Sequence, residues 1–197
     1  LDAAFRSAIL TLDYAWLKPY GWVESVRHWL QMWHMQASGA APYIGQTGRA
    51  RECLLTLADN LLPSGGIPQL STEGLPHREI FTSGSNQFYA WQIRQYLDAT
   101  GDRGMATRLS PVLDSLIEQT FSEFDADEDG LLKWNTQIGN QEDYVWTPYD
   151  GATPSIEGIQ MMRTRQAMAE FLNQDSTASL WQERADRSHS ALIDQLW

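Results

Sequence analysis

Acidic and aromatic side chains alternate in one segment of this sequence, between residues 125 and 151. The segment holds seven carboxylates and four aromatic rings. Carboxylates can transfer protons or accept hydrogen bonds from hydroxyl groups, and aromatic faces offer flat apolar surfaces for pyranose rings. Long segments without regular structure are usually functional or disordered, and disordered segments are poor in aromatic residues. The composition of this segment therefore favours carbohydrate chemistry.

Asp143 and Asp150 are the candidate catalytic acids of this segment. Both stand among Trp and Tyr residues, which would partly desolvate a carboxyl group and raise its pKa towards the range of a general acid. Glycosidases use a pair of Asp or Glu side chains that flank the scissile bond. The alternative is that these loop acids are solvated or cap helices.

Asp125, Asp127, Asp129 and Gly130 match the first half of an EF-hand calcium loop. The match stops there, because position twelve holds Thr136 instead of a bidentate Glu. The other interpretation is an acidic turn at the end of the preceding helix. Calcium is thus the one cofactor that the sequence suggests, on an incomplete motif.

The composition limits the class of partner. A chain of 197 residues with 43% hydrophobic content can bury one sizeable core, so we expect a single helical domain over residues 1–197. The net charge of −11 argues against nucleic acid and anionic membranes as partners. No apolar run reaches membrane-spanning length. Histidine and cysteine are not spaced as zinc ligands. Because the sequence begins at Leu1 and not at Met, the lack of a signal peptide says little about the compartment.

Helical periodicity of apolar residues predicts about seven antiparallel helices that position these side chains. The expected helices cover 2–17, 22–38, 46–62, 84–99 and 103–124, then one that opens near 153 with Thr153 as cap and Pro154 in the first turn, and one that reaches the end of the chain. No convincing strand pair is evident.

Alternate connections of antiparallel helices lie at the same end of a bundle, so the loops 18–21, 63–82 and 125–152 should share one face. Polar groups at helix N-termini beneath converging loops suit a hydroxyl-rich ligand. The candidate substrate-binding residues are aromatic or polar side chains, most of them on this face: Trp22, Arg27, Gln87, Trp91, Trp134, Tyr144, Trp146, Tyr149 and Glu157. Asn86 and Ser155 occupy the same helix ends. The predicted partner is an oligosaccharide or polysaccharide.

Several short motifs extend this reading over roughly residues 20–172. They are Thr47-Gly48-Arg49-Ala50-Arg51 followed by Gly66-Ile67-Pro68, then Ala90-Trp91, Tyr96-Leu97 and Thr100-Gly101-Asp102, the acidic turn with Trp134, and Trp146, Pro154 and Ile156-Glu157. Together they resemble the (α/α)6-barrel glycoside hydrolases, the group that contains glycogen-debranching glucosidases, trehalases and processing α-glucosidases. The resemblance implies an all-α fold, an incomplete (α/α) toroid that is part of a six-hairpin barrel. It also implies hydrolysis of α-linked glucosides or mannosides, with inversion, by carboxylate acid–base catalysis.

In that group the catalytic acid, usually Asp, lies between the acidic turn and the next inner helix. Asp143 holds the closest position and Asp150 the second. A full barrel has six helix pairs, and its catalytic base usually comes from beyond the point where this chain ends. We therefore expect a fragment of a larger catalytic domain, with the remainder of the barrel as a partner. Two alternatives stay open: a non-catalytic carbohydrate-binding or scaffold domain, and a polysaccharide lyase on the same fold.

Overall fold

The computed structural model describes residues 2–18, 21–22, 35–62, 65–67, 69–70, 76–77, 83–133 and 150–197. The α-helices of these residues are α1 Asp2–Tyr14, α2 Met35–Ala40, α3 Thr47–Ala58, α4 Ser83–Thr100, α5 Arg103–Phe124, α6 Ala152–Phe171 and α7 Asp175–Leu196, with a 3-10 helix at Ala41–Ile44. The predicted all-α class is confirmed. In this part of the chain, no helix combines the length and the apolar character needed to cross a membrane.

Two short antiparallel strand pairs contradict the expectation that no strand pair is present. Strand β1 (Trp16–Leu17) pairs with β2 (Gly21–Trp22), and β3 (Gln69–Leu70) pairs with β4 (Pro76–His77). Each strand has two residues, which is too short to produce the alternating pattern by which strands are recognised in sequence. These strands are defined by backbone pairing across a turn and not by the strand propensity of their residues.

The first strand pair also corrects the expected boundaries of the first two helices. Helix α1 ends at Tyr14, and Trp22 belongs to a strand rather than to the start of a helix. Its indole Nε1 donates a hydrogen bond to the Leu12 carbonyl at 2.9 Å, and its ring meets that of Trp16 edge-on with centroids 4.7 Å apart. Trp22 is therefore held against the last turn of α1 and the first strand.

Local signals explain the boundary between α4 and α5. Gly101 adopts a left-handed conformation with φ of +62° directly after α4, as C-terminal glycines commonly do. Asp102 then caps α5, because its carboxylate accepts a hydrogen bond from the Met105 N–H, which also lowers the pKa of Asp102. The predicted range 103–124 for α5 is confirmed. At α6 the cap is Gly151, so Thr153 as cap is wrong, while Pro154 does lie in the first turn.

Helix α5 runs antiparallel to both of its neighbours α4 and α6. Asn86 at the start of α4 donates a hydrogen bond to Thr120 near the end of α5, whereas Arg103 at the start of α5 donates one to the Phe171 carbonyl at the end of α6. Helices α4 and α6 are consequently parallel, and they also pack directly against each other. The core between these helices includes the fully buried Leu109, Leu113, Leu116 and Ile117 of α5.

Candidate functional site

A cavity of about 360 Å³ lies between the parallel helices α4 and α6. It is lined by Gln87, Trp91 and Arg94 of α4 and by Gln160, Arg163 and Thr164 of α6. Residues three and four apart lie on the same side of a helix, so each helix contributes one face. The volume falls within the range of small-molecule sites. The structure thus brings together two of the predicted substrate-binding residues, Gln87 and Trp91.

Gln87, which lines the cavity, carries a buried hydrogen-bond acceptor without a protein partner. Its Oε1 is buried, and it accepts no hydrogen bond from the part of the chain that the structure describes. Leaving a buried carbonyl unpaired costs about 1–3 kcal/mol. A ligand hydroxyl that donates to this oxygen, once the amide turns towards the cavity, would recover part of that free energy.

The two guanidinium groups at the cavity are already paired with carboxylates. Arg94 Nε lies 2.7 Å from Asp98 Oδ2 one turn further along α4, and Arg163 pairs with Asp186 of α7. Their charges are therefore compensated within the protein. A neutral ligand rich in hydroxyl groups fits such a lining better than an anion does.

Close approach of α2 holds the Trp91 ring in place. A Cβ atom added at Gly39 of α2 would lie 2.6 Å from two atoms of the Trp91 ring, far inside van der Waals contact. Glycine at this position thus allows the α2 backbone to pack against the indole. The ring that lines the cavity is therefore positioned by backbone packing from a neighbouring helix.

We expect Gly39→Ala to lower the free energy of unfolding by about 1–3 kcal/mol, because the added methyl group must push the Trp91 ring or the α2 backbone away. Gly48→Ala is the matched control, since a Cβ at Gly48 of α3 meets nothing within 4 Å. That variant should be neutral or more stable by up to about 1 kcal/mol. Urea denaturation measures both. Equal effects would show that Gly39 does not position Trp91.

Asp150 lies immediately before α6, opposite Lys133 in an antiparallel backbone bridge. Its Oδ1 is buried and has no hydrogen-bond partner among the described residues. Burial, and next the nearby charge of Asp129, raise the pKa of Asp150. A raised pKa is the direction expected for a general acid. The nearby Lys133 charge opposes the shift and lowers the pKa of Asp150.

The acidic turn after α5 gathers Asp125, Asp127 and Asp129, each of which offers a carboxylate oxygen within 4.8 Å of the others. Asp125 Oδ2 accepts a hydrogen bond from the Gly130 N–H at 3.1 Å, and Asp129 Oδ1 accepts one from Leu131 at 2.8 Å. Burial raises the pKa of Asp125. The predicted metal-ligand residues are therefore neighbours in space, in an arrangement that can hold a cation.

The remaining predicted site residues fall into two groups. Trp22 is fully buried, so it presents no ring face to a sugar, while Glu157 is half-buried on α6. The others lie outside the described residues: Arg27, Trp134, Asp143, Tyr144, Trp146 and Tyr149. The predicted sharing of one face by the loops 63–82 and 125–152 also depends on residues outside that part of the chain.

Two polar residues at helix starts turn out to anchor loops. Asn86 Oδ1 accepts a hydrogen bond from the Ile67 N–H at 3.0 Å, and Ser155 Oγ accepts one from the Leu132 N–H at 2.9 Å. Both side chains are buried. Asn86 and Ser155 thus fix the described segments that lead into α4 and α6, instead of facing a ligand.

The α6 side of the cavity was not anticipated from the sequence. Arg94 follows Gln87 and Trp91 at helical spacing, so the α4 face could have been extended to it by periodicity. Gln160, Arg163 and Thr164 carry no comparable signal, because their role depends on the packing of α6 against α4. In comparisons with known proteins, no family model matches this sequence and no curated protein matches it.

Proposed function

We propose that this chain belongs to a glycoside hydrolase that acts on α-linked glucosides or mannosides, with inversion. The cavity lined by Gln87 and Trp91 is the observation that carries the proposal, because it combines an aromatic ring with an unpaired buried acceptor. Sugar sites require such a pairing of ring surface and directed hydrogen bonds. The resemblance of the sequence motifs to (α/α)6-barrel hydrolases points to the same substrate class.

Helix packing supports an incomplete toroid as the scaffold. Helix α4 contacts α2 on one side and α6 on the other, so the even-numbered helices form one row. Ion pairs of Asp59 with Arg108 and of Glu118 with Arg184 join the end of α3 to α5, and α5 to α7. The wall of an (α/α) barrel likewise consists of two rows of alternate helices. Further helices would be needed to close the ring.

In the proposed reaction Asp143 protonates the glycosidic oxygen as the bond to the anomeric carbon breaks. A carboxylate base takes a proton from a water molecule, whose oxygen attacks that carbon from the opposite face of the sugar. The base is supplied by the remainder of the barrel. Asp150 is the second candidate for the acid, because burial raises its pKa.

The paired arginines favour this proposal over a polysaccharide lyase. A lyase must neutralise the carboxylate of a uronate, which calls for uncompensated positive charge. Arg94 and Arg163 are instead engaged by Asp98 and Asp186. A non-catalytic sugar-binding domain would use the same cavity without turnover.

Calorimetric titration with α-linked gluco- and manno-oligosaccharides tests the cavity. Gln87→Leu removes the unpaired acceptor at similar volume, so we expect stability to be kept and binding to weaken about fivefold, the equivalent of one hydrogen bond of about 1 kcal/mol. Gln182→Leu, an exposed position on α7, is the control and should bind as the parent does.

Product analysis of the same mixtures distinguishes the three functions. Reducing sugar released as the β-anomer indicates inverting hydrolysis of an α-linkage, whereas an unsaturated uronide product would indicate a lyase. Binding that depends on Gln87 without any product would leave a sugar-binding domain. Absence of binding to every oligosaccharide at millimolar concentration would contradict the proposal.

A further inference from the structure

The partly exposed side of α4 that lines the cavity continues towards α2. Gln95 follows Trp91 by four residues, so both side chains lie on the same side of the helix, and neither is fully buried. Gly39 of α2 shows that the two are neighbours, because a Cβ atom added there would lie 2.6 Å from the Trp91 ring and 3.5 Å from Gln95 Cγ. Trp91 and Gln95 therefore form one continuous surface along α4.

An exposed aromatic ring lies at the α2 side of this surface. Tyr43 belongs to the 3-10 helix Ala41–Ile44, which directly follows α2 and packs against α4. The residue is 59% exposed, yet its hydroxyl donates a hydrogen bond to Gln95 Oε1 at 3.3 Å. This bond holds the ring beside α4 while most of its surface stays accessible. Gln95 thus connects a second aromatic ring to the Trp91 ring of the cavity.

Hydrogen-bond donors accompany the two rings. Because Gln95 Oε1 accepts from Tyr43, the Gln95 amide nitrogen keeps two N–H donors, for which the described residues supply no acceptor. Arg94 Nε donates to both oxygens of Asp98, at 2.9 and 2.7 Å, whereas its terminal amino groups find no acceptor in this part of the chain. The charge of Arg94 is compensated, but these N–H groups remain available. Donors without net charge suit the oxygen atoms of a neutral sugar.

We propose that Tyr43 forms a second sugar subsite, so that an oligosaccharide binds across α4 from the cavity at Trp91 to the Tyr43 ring. The inference rests on the proposed function and narrows its substrate to chains of several units instead of a single sugar. Aromatic faces stack on successive pyranose rings, and the polar groups of Gln95 and Arg94 meet the hydroxyl groups between them. A protein partner would instead require a contiguous apolar patch, which the amide and guanidinium groups interrupt here.

Calorimetric titration with α-linked gluco- and manno-configured disaccharides and tetrasaccharides tests this subsite. In the parent the tetrasaccharide should bind about tenfold more tightly than the disaccharide, because it reaches the Tyr43 ring as well as the cavity. Tyr43→Ala should lose this gain and bind both ligands with the affinity of the disaccharide. Tyr43→Phe should keep most of the gain, since it retains the ring and removes only the hydroxyl group.

Tyr14→Ala is the matched control, because Tyr14 of α1 is 85% exposed and should not affect binding of either ligand. Both tyrosines are exposed, so the variants should keep the Tm of the parent. No gain in the parent, or an unchanged gain in Tyr43→Ala, would overturn the inference, while weaker binding by Gln87→Leu would still support the proposed function. Equal weakening of both ligands by Tyr43→Ala would also overturn it, since Tyr43 would then not form a separate subsite. If neither ligand binds, this inference and the proposed function fail together.

Discussion

Asn86→Asp should lower the free energy of unfolding by about 3–5 kcal/mol, as removal of one partner from a buried charged pair does. Asn86 is fully buried, and its Nδ2 donates to Thr120 Oγ1 at 2.9 Å and to Gln119 Oε1 at 3.1 Å. Aspartate has the same shape, but its carboxylate would face these acceptors with no hydrogen to donate. Thr120 cannot compensate by rotation, because its hydroxyl already donates to the Leu116 carbonyl.

Asn60→Asp is the control for this prediction. Asn60 also donates a side-chain hydrogen bond, from Nδ2 to the Thr56 carbonyl at 2.8 Å, but it is only part-buried at the end of α3. Water can solvate the new carboxylate there, so we expect a cost below about 1 kcal/mol, the value of one ordinary hydrogen bond. Equilibrium urea unfolding at neutral pH gives both values. Similar losses in the two variants would show that the Asn86 network does not hold α4 to α5.

The Asn86 network illustrates why part of the site could not be predicted from the sequence. Asn86 and Ser155 are polar residues at helix starts, a pattern that favours a ligand-binding end as readily as an internal anchor. The choice depends on which neighbour covers the residue. Thr120 lies in α5 and Leu132 in the turn beyond it, and no local pattern at Asn86 or Ser155 encodes those contacts.

Helix boundaries were predictable where the sequence supplies a local stop and start. Gly101 and Asp102 provide both signals, and α5 accordingly covers the predicted range. The prediction failed at Trp22, because a two-residue strand pair has no periodicity to read. A prediction from periodicity extends a helix through such a turn, because it uses only the spacing of apolar residues and contains no information on where the chain reverses.

Asp150 shows what burial adds to a prediction made from residue type. The sequence makes it the second candidate for the catalytic acid, and burial does raise its pKa. Its Oδ1 is also left without a hydrogen-bond partner among the described residues. Neither property can be read from residue type and spacing alone. Activity measurements can decide between Asp143 and Asp150 as the acid.

Asp143→Asn should reduce turnover of α-linked glycosides by about 10²–10⁴-fold in the full-length enzyme, the usual contribution of general acid catalysis. Sugar affinity should stay nearly unchanged, because the acid acts on the transition state rather than on the bound substrate. The measurement is kcat alongside the dissociation constant of a glycoside.

Asp150→Asn is the companion variant. It should lose less activity than Asp143→Asn if Asp150 only positions substrate hydroxyls. An inactive Asp150 variant beside an Asp143 variant that retains the parental rate would reverse the roles. If both variants stay fully active, these carboxylates are not catalytic, and the cavity between α4 and α6 would serve sugar binding alone.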